Sequence, residues 1–226
     1  METTREYFLL LIDVRGSTKM APARLGRVME RLGTELPRIN RRLGKNLVLG
    51  LKVSYGDEVA GLFATASRLY DAVAAVRDTL HPDARLRFVV VRGRVAIASR
   101  DIRKVGGPAF KLADDAMERL KKQRGYARWH VGDPLADAVL NSLAGMSNAL
   151  LEGMTAYKRT VYGLMSQGVS RKDAARRLRK YLQSVSTAAR TGKADEVLEA
   201  EATIRAVLTR LDKRKTVDSV ISITND

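Results

Sequence analysis

Asp13 and Asp57 are the residues of this chain whose type and placement could do chemistry. Asp13 follows the apolar run Tyr7-Phe8-Leu9-Leu10-Leu11-Ile12 and precedes Gly16-Ser17-Thr18. Asp57 follows Gly56 and splits Leu51-Lys52-Val53-Ser54-Tyr55 from Val59-Ala60-Gly61-Leu62-Phe63. Two carboxylates brought to one edge of a sheet repel unless a cation or a proton sits between them. The chemistry this suggests is Mg²⁺ or Mn²⁺ binding beside a phosphate, because a hard ion takes oxygen ligands. The plainer reading is a helix cap after a strand at Asp13 and a hairpin turn at Gly56-Asp57.

The elements that must position these residues can be read from the apolar pattern. Six apolar residues bounded by polar ones predict a buried central strand ending near Asp13. Gly16-Ser17-Thr18 then makes a turn and a helix start. Leu25, Val28, Met29, Leu32 and Leu36 recur at helical spacing, which predicts a helix over 21–43 bent or interrupted at Pro37. Gly56-Asp57 is the tip of a β-hairpin. A second helix covers 66–80 and stops at His81-Pro82-Asp83. The alternation from Arg85 to Val91 is a strand, and Arg92-Gly93-Arg94 turns so that Val95 to Ala98 continues the sheet. Gly106-Gly107-Pro108-Ala109-Phe110 opens a helix that stops at Gly125, and such a Gly-rich turn can hold a phosphate. Tyr126 to Val131 is one more strand. The order is that of an α+β domain with a ferredoxin-like sheet over residues 1–132.

From Asp133-Pro134 onward the chain is helical, and a second domain is expected over 133–226, with a break near Gly153-Met154-Thr155. Ser170 caps the stretch Arg171 to Lys180, and Tyr181 to Arg190 follows. This resembles a helix-turn-helix, spanning about 160–192. Between Arg171 and Lys193 there are eight basic residues and one acid, which suits phosphate contacts from Arg171, Lys172, Arg176, Arg177 and Arg190. Gln183, Ser184, Ser186 and Thr187 lie on the second helix, where they could meet base edges. Arg179 stands where that turn usually has Gly, so the turn must strain or differ. Residues 194–213 make a helix that closes the domain or pairs with a second copy. The tail to Asp226 reads as loosely held, with Val217, Val220, Ile221 and Ile223 as a short strand.

Composition bounds the rest. The 226 residues carry a formal charge of +16 with no cysteine, which points to polyanionic partners and leaves neither a disulfide framework nor a thiolate metal site. Residues 1–132 hold 26 Lys and Arg against 14 Asp and Glu, so the front domain carries most of the excess. His81 and His130 are too few for a His-based site. No apolar run approaches the roughly 18 residues of a membrane span. The start Met1-Glu2-Thr3-Thr4-Arg5-Glu6, charged with both signs, is not a secretory signal. A cytoplasmic protein is expected.

The pattern Leu10-Leu11-Ile12-Asp13-Val14-Arg15-Gly16-Ser17-Thr18, then Gly56-Asp57 in a hairpin ending in Phe63, then Gly107 to Phe110, resembles class III nucleotide cyclases. It is more similar still to the SatD family, bacterial proteins with a cyclase-like N-terminal part and a helix-turn-helix behind it. The resemblance implies Asp13 and Asp57 as ligands of Mg²⁺ or Mn²⁺. It also implies Gly16, Ser17, Thr18, Gly107 and Lys111 at the phosphates of a nucleotide. Enzymes of this class carry an Asn and an Arg where this chain has Lys111 and Asp115, and an acid there works against a charged phosphoryl transition state. The expected function is therefore a DNA-binding regulator, dimeric through its helical part, whose front domain binds a nucleotide or a metal without catalysis. The alternatives are a metal-dependent nucleotidyl cyclase or transferase, and a structural adaptor in which Asp13 and Asp57 are turn residues.

Overall fold

The computed structural model describes residues 5–223. Residues 1–4, part of the charged start, and residues 224–226, the end of the tail, lie outside them. The chain forms two compact units, one of residues up to 141 together with those from 205 on, the other of residues 142–204.

The first unit is a mixed α+β layer built on one five-stranded sheet. Its strands are β1 (Arg5–Val14), β2 (Leu47–Val53), β3 (Glu58–Phe63), β4 (Leu86–Val95) and β5 (Ala127–His130), in the spatial order β2-β3-β1-β4-β5. All neighbours are antiparallel except β4 and β5. β1 is central because Phe8 to Ile12 are all but inaccessible, and a strand covered on both faces reads as a continuous apolar run. Leu9 and Leu11 pack with Leu62, Val89 and Val91 against α3 (Pro108–Lys122), through Ala109, Ala113, Met117 and Leu120. Phe8, Leu10 and Ile12 point to the other face by alternation. That face is covered by α1 (Pro22–Leu43) and α2 (Leu69–Leu80).

Two expectations about this sheet need correction. α1 runs through Pro37 without a break; the residue four before it, where a proline ring crowds the carbonyl, is Gly33, and Leu32, Leu36, Ile39 and Leu43 are buried on either side. β4 is one strand of ten residues with no turn at Gly93. Gly93 serves another purpose: a Cβ there would lie 3.2 Å from the Ala109 Cβ, so its absence lets the start of α3 approach β4.

The boundary observed at 141 lies beyond the expected one at 132/133, for a local reason. α4 (Pro134–Gly153) begins against β5, where the Asn141 amide accepts from the Trp129 N–H at 2.8 Å and donates to the Trp129 carbonyl at 3.1 Å. Asp137 accepts from the Val131 N–H. The last helix, α8 (Ala194–Ile223), likewise returns to the first unit. The Asp212 carboxylate accepts from the N–H groups of Ala66 and Ser67 at 2.7 and 2.9 Å, and Arg205 pairs with Asp71 at 2.8 Å. The backbone of α8 is helical to Ile223, so the short strand expected around Val217 to Ile223 is not formed.

The second unit contains α5 (Ala156–Ser166), α6 (Arg171–Leu178) and α7 (Leu182–Thr191). Val161, Tyr162, Ala174, Ala175, Val185, Ala188, Ala189, Ala194 and Val197 form its core. Small alanines at the crossings let short helices come close, since ridges must fit grooves. Ser170 caps α6 as expected, accepting from the Asp173 N–H, and Thr155 caps α5 in the same way through the Lys158 N–H, while α7 starts after Tyr181 without a side-chain cap.

Candidate functional site

Asp13 sits near the end of β1, 7% exposed, facing the α3 side of the sheet like Leu9 and Leu11. Register places it opposite Glu58 of β3 and opposite Arg87 of β4. Its two oxygens meet two cations: Oδ2 lies 3.0 Å from Arg87 Nε, and Oδ1 lies 3.2 Å from Lys121 Nζ in the last turn of α3. Asp57 is in the turn just before Glu58, and its Oδ2 is buried without a hydrogen-bond partner. Glu58 accepts from Ser54 Oγ at 3.1 Å. The sheet edge therefore carries a row Glu58, Asp13, Arg87, with α3 laying Lys121 across it.

The electrostatics follow from this placement. Burial pushes the Glu58 carboxyl above its ordinary range, the Ser54 hydrogen bond works the other way, and the charges of Asp114 and Asp13 add to the rise. Burial likewise raises Asp114, helped by Asp115 and Glu118. Burial works against the charge on Lys121, yet the hydrogen bond and charge of Asp13, with Glu118 and Glu58, hold its ammonium above the usual lysine range.

The expected phosphate residues divide between two ends of the sheet. Gly16 has φ +72 and opens a short 3₁₀ turn over Ser17–Lys19. It lines a cleft of about 460 Å³ together with Arg15, Lys19, Arg24 and Arg85, and no acidic side chain lines that cleft. The Arg15 guanidinium rests 4.7 Å from the Tyr126 ring centre, and Arg24 Nε donates to the Asp83 carbonyl at 2.7 Å. Gly107 and Lys111 lie elsewhere. Gly107 starts α3 against Arg94 and Val95 at the far end of β4, and Lys111 is exposed on the same helix. Lys111 and Lys121 are ten residues apart on one helix, about 15 Å. Gly93, beside the start of α3, and Arg87, at Asp13, are six residues apart on β4, about 20 Å. Asp13 and Asp57 thus share an edge with Gly16, while Gly107 and Lys111 do not belong to it.

A divalent ion fits this edge poorly. Asp13 has a cation at each oxygen. Among the described residues no group of three or more His, Asp or Glu side chains is arranged to hold a metal ion. Arg87 and Lys121 are the residues that sequence reasoning missed. Arg87 is visible as one of the alternating arginines from Arg85, but its partner is set by strand register. Lys121 reaches Asp13 from more than a hundred residues away.

The second charged surface is on α6 and α7. The turn between them is Arg179-Lys180-Tyr181, and Arg179 takes the left-handed conformation, φ 52 and ψ 46, that a glycine would adopt there. Gln183, Ser184, Thr187 and Arg190 are exposed along one face of α7, and Ser186 is half-buried beside them. Lys172, Arg176, Arg177, Arg179 and Lys180 are exposed as well. Arg176 is held by Asp173 at 2.8 Å, and Arg171 by Asp195. Thr155, Tyr157 and Lys158 at the start of α5 line a groove with Gln183, Ser184, Thr187 and Thr191. No helix among the described residues is long and apolar enough to cross a membrane.

No family model matches the chain, and no curated protein matches it. Among solved structures it is similar to a bacterial light-regulated adenylyl cyclase, at 14% identity over 56% of this chain and 76% of that one, with a TM-score of 0.43. It is similar to the adenylyl cyclase CyaB from P. aeruginosa at 15% identity over 51% of this chain and 74% of that one, TM-score 0.39. A regulator of polyketide synthase expression from Bifidobacterium adolescentis is similar at 14% identity over 89% of this chain and 86% of that one, TM-score 0.25.

Proposed function

We propose that this protein binds DNA through α6 and α7, as a helix-turn-helix regulator of the SatD type, inside the cell and as a dimer. One observation carries the reading. α7 starts after a three-residue turn and presents Gln183, Ser184, Thr187 and Arg190 on one exposed face, flanked by Lys172, Arg176, Arg177, Arg179 and Lys180. Side chains of the first group suit base edges and nearby phosphates; those of the second suit the backbone. Ser186, half-buried, is less well placed for a base than its neighbours.

In this reading the first unit, a ferredoxin-like and cyclase-like sheet, senses an anionic ligand. The cleft of Arg15, Lys19, Arg24 and Arg85 around Gly16 is the place for it, since four cations with no lining acid favour a phosphate-bearing molecule.

The test is fluorescence anisotropy with a duplex from the region upstream of the protein's own coding sequence and with a scrambled duplex, over a salt series. Tight binding to the first duplex is expected. In Arg177→Glu/Arg190→Glu it weakens by about tenfold or more, and the salt slope falls by about two. Equal binding of both duplexes, untouched by the double substitution, would mean that the +16 charge binds DNA without a recognition surface, and would end this reading.

A further inference from the structure

Most of the positive charge lies in residues 1–132, before α6 and α7 in the chain. In that part it gathers on α1: between Arg24 and Lys45 there are seven basic residues and two acids. We propose that the exposed face of α1 is a surface for the phosphate backbone of duplex DNA, supplying affinity without regard to sequence. This does not rest on α6 and α7 reading a sequence.

Helical geometry makes the face. Val28, Leu32, Leu36, Ile39 and Leu43 are buried on one side of α1. Arg27, Arg31, Arg38 and Arg41 recur at steps of four, seven and three residues, so they form one stripe on another side. Arg42 stands beside Arg41, and Lys45 follows in the short 3₁₀ turn Gly44–Asn46. Part of this charge is already used. Arg31 pairs with Asp83 at 2.8 Å, and Arg38 with Glu35 at 2.7 Å. Arg27, Arg41, Arg42 and Lys45 are exposed, and none of them has an acidic partner among the described residues.

The chemistry selects the occupant. Six of the seven basic residues are arginines, whose planar forks pair with phosphate oxygens. Arg27 and Arg41 are fourteen residues apart on one unbroken helix, about 21 Å. That exceeds the width of a duplex major groove, about 12 Å, so the two ends of the stripe suit the phosphate ridges on its two sides. Single strands are held by stacking on aromatic rings, and none of the exposed large hydrophobic residues lies on α1. A helix lying in a membrane surface puts its apolar side among the lipids, but that side of α1 is buried in the fold. Arg41 and Arg42, in the last turn, also suit the helix dipole; Arg27 lies near the opposite end, where a cation gains nothing from it.

The experiment measures fluorescence anisotropy of the full chain with the upstream and the scrambled duplex over a salt series, with thermal melting as a check on folding. The test variant is Arg27→Gln/Arg41→Gln/Arg42→Gln/Lys45→Gln. The control, Arg100→Gln/Lys104→Gln/Arg119→Gln/Lys122→Gln, removes as much charge from exposed residues on the α3 side of the sheet. In the test variant the salt slope is expected to fall by about three to four and affinity by about tenfold or more, for both duplexes alike. In the control the slope is expected to stay within about one of wild type. A folded test variant with the wild-type slope overturns the proposal, and so does a control that loses as much. If the fourfold variant does not fold, the exposed single change Arg27→Gln decides: a slope lower by about one supports the α1 surface, and an unchanged slope overturns it. Binding to vesicles containing phosphatidylserine that is lost in the test variant, while DNA binding is kept, makes the face a lipid surface and overturns it as well. DNA binding weakened by Arg177→Glu/Arg190→Glu and untouched by the α1 substitutions overturns the α1 surface and leaves α6 and α7. The reverse pattern supports α1 and removes α6 and α7 as the recognition surface.

Discussion

The Asp13 edge of the first unit and the α6–α7 surface of the second use the same residue types in opposite ways. At Asp13 the cations face inward: Arg87 and Lys121 lie on a carboxylate that is nearly inaccessible. On α6 and α7 most cations face solvent, and two acids, Asp173 of α6 and Asp195 at the start of α8, each hold one arginine. In a closed row, removing one partner leaves a buried charge uncompensated; an open row contributes to association with a polyanion. Net charge counts both kinds alike. The front half carries more of the formal excess, yet the exposed basic face we propose to read a DNA sequence is in the back.

The largest break in that comparison is expected at Asp13. Asp13→Ala leaves Arg87 buried without its carboxylate and should lower the unfolding free energy by roughly 3 kcal/mol, read by chemical denaturation. Arg177→Ala, removing a cation on the open surface, should stay within about 0.5 kcal/mol of wild type. Equal losses would mean that the two surfaces do not differ in kind.

Gln183→Ala with Thr187→Ala sharpens the contrast from the other side. Affinity for the specific duplex should fall by about 1–3 kcal/mol with discrimination relaxed, and the melting temperature should not move. Ser170→Ala removes the cap of α6 and should cost about 1 kcal/mol. The Ser170 hydroxyl also donates to Asp173 and, with Arg176 and Arg177, keeps that carboxyl below its ordinary range. A carboxyl lowered on folding adds stability above its unfolded value near 3.8, and that part is lost as pH falls through the folded value. The gap between wild type and Ser170→Ala should therefore narrow in acid melts. A small effect of opposite sign is expected at the turn. Arg179→Gly relieves a left-handed arginine and should raise stability by about 0.5–1 kcal/mol while slightly weakening DNA binding.

The sequence by itself determined the elements. A six-residue apolar run meant a central strand, Gly56 with φ 56 made the hairpin tip, Asp133-Pro134 began α4, and Ser170 capped α6. These are local rules, decided by steric limits and by hydrogen bonds within a few residues. Pro37 and Gly93 misled because packing of flanking residues outweighed a local breaker. Tertiary structure decided the partners. Strand register put Glu58 and Arg87 beside Asp13, and the path of α3 brought Lys121 to the same carboxylate while carrying Gly107 and Lys111 away from it. Which charges neutralise each other depends on distances of a few ångströms between residues far apart in the chain. No spacing within the sequence encodes those distances, so the motif around Asp13 and Asp57 carried no sign of Arg87 and Lys121, the cations that meet Asp13 in the fold.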